Sequence, residues 1–140
     1  MSHVVCVIQA RLASTRLPGK VLMDLAGRPM LARVIERAQA IRGVDAVIVA
    51  MPASEALQWG GMPWPDDVVR HWVEGDPTDV LSRVLSAARG ADVILRLTGD
   101  CPLLAPDVAE TALAAFHEHG VDYLGTTRPE PAAFVPDGLD

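Results

Sequence analysis

The 140-residue chain has little cysteine, few cations and no long apolar run, and each shortage removes a class of protein. Two cysteines, Cys6 and Cys101, lie far apart. They form no metal-ligand spacing and no disulfide framework. No apolar stretch reaches the length of a membrane span or a secretory leader, so a soluble cytoplasmic protein with no membrane partner is the expectation. Twelve Lys and Arg stand against eighteen Asp and Glu, with a sequence pI near 5.1. That balance argues against bulk binding of nucleic acid. The dinucleotide fingerprint Gly-x-Gly-x-x-Gly is missing. So is the Walker loop, since Val21 rather than Ser or Thr follows Lys20.

Apolar residues make up 50% of the chain, enough for the core of one domain over residues 1–140. The scarce cations are unevenly placed. Residues 1–42 hold seven Lys or Arg and two acids, whereas residues 43–140 hold five Arg and sixteen acids. A local positive end on an acidic protein suits a small anion such as a phosphate. Arg33, Arg37 and Arg42 fit the solvated face of a helix. The loop "QARLASTRLPGK" at 9–20 is different: Arg11, Arg16 and Lys20 occur there with no acid.

The apolar run 3–10 reads as a strand buried on both faces. A small hairpin turning at Ala26–Gly27 follows. A helix then opens near Pro29, with Leu31, Val34, Ile35, Ala38 and Ile41 inward, and ends at Gly43. Residues 44–51, 68–73, 91–102 and 121–127 read as further strands. In 74–90, Asp76 and Pro77 suggest a helix start, with Asp79 favourable in the first turn. Val80, Leu81, Val84, Leu85 and Ala88 form its expected buried face. Pro106 opens another helix through His119, with Val108, Ala112, Leu113 and Phe116 inward; His117 and His119 suit its C-terminal end. Residues 52–67 are rich in Gly and Pro and give the weakest pattern. Their Trp59 and Trp64 are expected to cover a core edge rather than stack on bases. Alternating strands and helices predict an α/β fold, a mostly parallel sheet with helices on both faces.

Ligands of such sheets sit beyond the carboxyl ends of the strands. Two loops there carry chemistry. In 9–20, Gly19 lets backbone approach an anion, Arg11 and Arg16 can fork onto phosphate oxygens, and Lys20 supplies a point charge. A solvated basic turn is the equal alternative from composition alone. In "TGDCP" at 98–102, Asp100 can hold Mg²⁺, which favours one or two carboxylates with phosphate oxygens and water. A turn-capping Asp is the plainer alternative.

The stretches "IQARLASTRLPGKVLMDLAGRPML", "GDPTDVLSRVLSAA", "ILRLTGDCPLLAPDV" and the closing "PDGLD" resemble the cytidylyltransferases that activate acidic sugars, the acylneuraminate and 3-deoxy-manno-octulosonate enzymes, and most of all the branch named for spore coat polysaccharide biosynthesis. The resemblance implies a Rossmann-like nucleotidyltransferase core. It implies transfer of CMP from CTP to a sugar, with release of pyrophosphate, in surface polysaccharide biosynthesis. It places Arg11, Ser14, Arg16, Gly19 and Lys20 on the triphosphate, Mg²⁺ on Asp100, and Ala10, Thr98 and Gly99 near base and ribose. Asp79 falls in a segment near the nucleotide. Arg11, Lys20 and Asp100 are the expected catalytic groups. The chain is short against that family, so the acceptor half of the fold is expected to be missing and a homodimer weakened. The competing readings are a glycosyltransferase or other nucleotide-sugar enzyme, a transferase using another nucleoside triphosphate, and a catalytically silent nucleotide-binding module.

Overall fold

The computed structural model describes residues 1–126. Six strands and three helices follow one another as β1 (Val4–Gln9), β2 (Asp24–Leu25), β3 (Arg28–Pro29), α1 (Met30–Gln39), β4 (Ala46–Pro52), β5 (Val68–Val73), α2 (Val80–Ala87), β6 (Val93–Thr98) and α3 (Pro106–His119). Short 3-10 turns occupy Lys20–Leu22 and Ala53–Trp59. Four strands form one sheet in the order β5-β4-β1-β6, and every pairing in it is parallel. Strands β2 and β3 form the expected hairpin, turning through Ala26 and Gly27, both at positive φ. The α/β architecture anticipated from the alternating pattern is therefore present.

Strand β1 alternates between two cores. Cys6 and Ile8 face a larger one built with Leu31, Val34 and Ile35 of α1, Met51 of β4, Leu97 of β6 and Ala109 of α3. Val5 and Val7 face a smaller one with Val84, Ala87 and Ala88 at the end of α2. Helices thus cover both faces, as a parallel sheet requires. The five inward residues read from periodicity in the first helical segment are all buried. Trp59 is buried against Trp64 and Trp72, with ring centroids 5.8 and 6.3 Å away, which confirms the packing role given to Trp59 and Trp64. No helix among the described residues is long and apolar enough to cross a membrane.

Three local expectations are corrected. Helix α2 begins at Val80, not at Pro77, because Asp79 is its N-cap and accepts the Ser82 amide at 3.0 Å. Asp76 instead turns back on Thr78, accepting from its amide and its hydroxyl. Leu81 and Leu85 are exposed, since α2 lies over β4, β1 and β5 and leaves its outer side free. Residues 121–126 form no strand; the last residue of that expected strand lies outside the described residues. The outer edge of β6 consequently borders an open apolar groove of about 600 Å³, flanked by Leu81 and Leu85 on one side and by Ala112 and Phe116 on the other.

Two substitutions separate the real core from the apparent one. Ile35→Ala is expected to lower unfolding free energy by about 2–5 kcal/mol. Leu81→Ala is expected to change it by less than about 0.5 kcal/mol. Urea melts of the two variants check both values.

Candidate active site

With the hairpin set aside, the sheet order is the third strand, the second, the first and the fourth. The direction of winding reverses between β1 and β6, and ligands of open parallel sheets bind in the crevice at such a reversal. The two segments leaving that crevice are residues 10–20 and 98–101, the same two loops singled out by their composition.

The bodies of the loops are fastened tightly. Gly99 donates to the Gln9 carbonyl at 2.9 Å, and Ala10 donates to Ala50 at 3.1 Å. A Cβ on Gly99 would lie 3.1 Å from the Gln9 oxygen, 3.2 Å from the Ala10 methyl and 3.3 Å from Leu31, so only glycine fits the approach without displacing a neighbour. The cationic loop closes on itself: Gly19, at φ +69°, donates to the Leu12 carbonyl at 2.8 Å. Ser14 Oγ accepts from the Leu17 amide at 3.4 Å, which shapes the loop's tip.

Glu55 anchors this loop and was not singled out in the sequence. It is buried, and its two carboxylate oxygens accept the amides of Leu12 at 2.8 Å and Ala13 at 3.1 Å. Charged acceptors make such bonds stronger than neutral ones. Glu55 also lines, with Ala13, Pro18, Gly19, Ser54 and Pro77, an open pocket of about 630 Å³ beside the loop. The available signal was a single acid in the apolar stretch "PASEALQW", where burial requires a partner.

At the crevice Lys20 and Asp100 form an ion pair, with the two side chains about one-third exposed. Partial burial on its own would raise the Asp100 carboxyl. The hydrogen bond and charge of Lys20, with a further hydrogen bond from Thr98, outweigh it and hold the group below its ordinary value. Asp100 is therefore ionised at neutral pH. Thr98 Oγ1 also lies 3.0 Å from Cys101 Sγ. Arg11 and Arg16 have no carboxylate partner among the described residues, so two further cations of the loop that carries Lys20 remain open to an anion. Asp79 serves as the cap of α2, and its carboxyl is lowered chiefly by the Ser82 amide. Arg83, one turn further on, is buried and donates to Pro77 O at 2.8 Å. Burial and then the charge of Arg11 lower its guanidinium, and Pro77, just before α2, lines the same pocket as Ala13 and Gly19 of the cationic loop.

Asp100 offers one ionised oxygen ligand of the hard type that Mg²⁺ or a similar cation takes. Among the described residues no cluster of three or more His, Cys, Asp or Glu side chains could enclose a metal alone. Such an ion fits here only with part of its shell supplied from outside the protein, as phosphate oxygens and water do.

A cationic loop and an ionised aspartate meeting at the reversal of a parallel sheet belong to a Rossmann-like α/β unit of the nucleotidyltransferase type. Residues 5–58 match the cytidylyltransferase family model. The chain is 38% identical over 137 residues to a 3-deoxy-manno-octulosonate cytidylyltransferase of Anaeromyxobacter dehalogenans, covering 92% of this chain and 53% of that protein. It is 37% identical over 122 residues to the enzyme of that name from Escherichia coli, covering 84% of this chain and 48% of the relative. A solved CMP:2-keto-3-deoxy-manno-octonic acid synthetase in complex with CTP superposes with a TM-score of 0.68 at 32% identity, over 86% of this chain and 49% of the other. Over residues 5–58 the chain matches the cytidylyltransferase family, which its opening motif resembles. It spans about half the length of the curated relatives it matches.

Two measurements check this geometry. In Glu55→Gln the single carbonyl oxygen of the new side chain leaves one of the Leu12 and Ala13 amides without an acceptor. The expected loss is about 1–3 kcal/mol, with hydrogen exchange accelerated at those two amides. The second concerns pH. The folded-state pKa of Asp100 is depressed, so its contribution to stability is complete above the ordinary carboxyl value of about 4 and is lost as pH falls through the folded value. Wild type and Asp100→Asn should therefore differ in melting temperature at pH 7 and converge near the acid limit.

Proposed function

We propose that this chain binds CTP and takes part in the transfer of CMP to an acidic sugar, with release of pyrophosphate, and that residues 1–140 act as one nucleotide-binding unit. The observation that carries the reading is the meeting of Lys20 and Asp100 at the sheet's reversal, with Arg11 and Arg16 on the same loop as Lys20 and without carboxylate partners among the described residues. The names of the relatives support CTP as the donor and a 3-deoxy-octulosonate or similar acid as the acceptor.

In this reading Arg11, Arg16 and Lys20 hold the triphosphate, helped by the Ser14 hydroxyl and the backbone at Gly19. The segment Thr98–Gly99 and Ala10 flank the base and ribose, and Asp79 keeps the neighbouring α2 in place. A hydroxyl oxygen of the sugar attacks the α-phosphorus. The new P–O bond forms as the bond to the β-phosphate oxygen breaks, the hydroxyl proton departs, and pyrophosphate leaves. Arg11 and Lys20 offset the negative charge that grows on the phosphate oxygens and the leaving group. Asp100 would hold a divalent cation, Mg²⁺ being the simplest choice, which supplies further neutralisation of those oxygens. No protein nucleophile is needed. Cys6 is unsuited to the part, because burial pushes its thiol up to about 12.

Calorimetry with CTP, UTP, GTP and ATP, each with Mg²⁺ and with EDTA, tests the reading. CTP is expected to bind most tightly, in a manner that depends on Mg²⁺. Lys20→Ala and Asp100→Ala are each expected to weaken Mg²⁺-supported binding by about tenfold or more, the loss of a charge-assisted contact. A folded protein that prefers a nucleoside diphosphate sugar would favour a glycosyltransferase. One that binds no nucleotide would leave a silent module.

A further inference from the structure

The ion pair at the crevice joins two groups that the proposed function assigns to different ligands. Lys20 is there for the triphosphate and Asp100 for the cation, yet in this structure each is bound to the other. From this geometry, and resting on that reading of the site, we infer that the Lys20–Asp100 pair is a latch that makes nucleotide and divalent cation bind cooperatively.

A triphosphate arriving alone must draw Lys20 away from Asp100 and then leaves an ionised carboxylate facing added negative charge. A cation arriving alone must draw Asp100 away and leaves an ammonium beside added positive charge. When both arrive, each ligand takes one member of the pair, and neither charge is stranded. The coupling is reciprocal: whatever factor the cation contributes to nucleotide affinity, the nucleotide contributes to cation affinity. Arg11 and Arg16 stand outside the latch, having no carboxylate partner among the described residues. They provide the attraction that persists without metal.

The backbone beneath the latch is fixed. Leu22 donates to the Gly19 carbonyl at 3.0 Å and Met23 to the Lys20 carbonyl at 3.1 Å. On the other side Cys101 donates to the Thr98 carbonyl at 3.4 Å. Opening therefore proceeds by rotation of the flexible lysine stem, with the two loops staying in place.

The test is a double-mutant cycle read by calorimetry of CTP binding in excess EDTA, on wild type, Asp100→Asn, Lys20→Met and the double variant. Asp100→Asn releases Lys20 and is expected to bind metal-free CTP roughly two- to fivefold more tightly than wild type, the size of a part-exposed ion pair. That gain should shrink in the Lys20→Met background, where only the repulsion by the carboxylate is left to relieve. In excess Mg²⁺ the order inverts, and Asp100→Asn binds more weakly than wild type. Circular dichroism verifies folding, and Asp100→Ser serves as a second replacement. A gain of equal size in both backgrounds would mean simple repulsion by the carboxylate and would overturn the latch, as would no gain at all. Wild type that binds CTP with Mg²⁺ but shows no coupling in the cycle sinks the latch alone. Wild type that binds CTP under neither condition removes the nucleotide reading, and the latch with it.

Discussion

Strand β1 has β4 on one side and β6 on the other, and its alternating side chains enter both cores. The rest of the structure follows from that central position. Because β4 and β5 are added on one side of β1 and β6 on the other, the crossovers through α1 and α2 run in opposite directions along the sheet, and a crevice opens at the carboxyl end of β1. Because both faces are covered, its residues from Val4 to Ile8 must be apolar, so the chemistry has to be carried by the segment that follows. Burial of β1 and the cationic character of residues 11–20 are thus two consequences of one placement.

The electrostatics of the crevice follow the same economy. The carboxylates near the cationic loop already have defined duties: Glu55 holds backbone amides, Asp79 caps a helix, and Asp100 faces Lys20. Acidic residues dominate the rest of the chain, yet Arg11 and Arg16 have no carboxylate partner among the described residues. The positive end of an acidic protein is preserved here because the nearby acids are occupied, not because they are absent.

Much of this was legible in the sequence where the signal is local. The continuous apolar run of β1, the 3.6-residue period of α1 and the Pro-to-Gly boundaries of α3 each state their structure within a dozen residues. The two loops declared their chemistry through composition, and the order of strands and helices placed them at one edge. What stayed hidden was non-local. Glu55 lies more than forty residues from the amides it holds, so no spacing rule reaches it. Leu81 and Leu85 share the helical period of buried residues, yet whether that stripe is covered depends on where α2 crosses the sheet. Asp76 and Asp79 are equally good caps by residue type, and the choice was made by the turn that Asp76 forms with Thr78. Residues 121–126 have strand-like composition, but among the described residues no neighbouring strand pairs with them. The base and the sugar have no signature of their own at all; both rest on kinship.

The Glu55 tether fixes only two amides of the cationic loop, those of Leu12 and Ala13, while the Gly19–Leu12 bond closes its base. Between these fastenings the tip around Thr15 and Arg16 projects into solvent with no role in the core. Two regimes of inheritance therefore meet within ten residues. The pinned ends must keep their length and backbone conformation through descent. The fold makes no such demand on the tip, where only the ligand role proposed for Ser14 and Arg16 would hold residues constant.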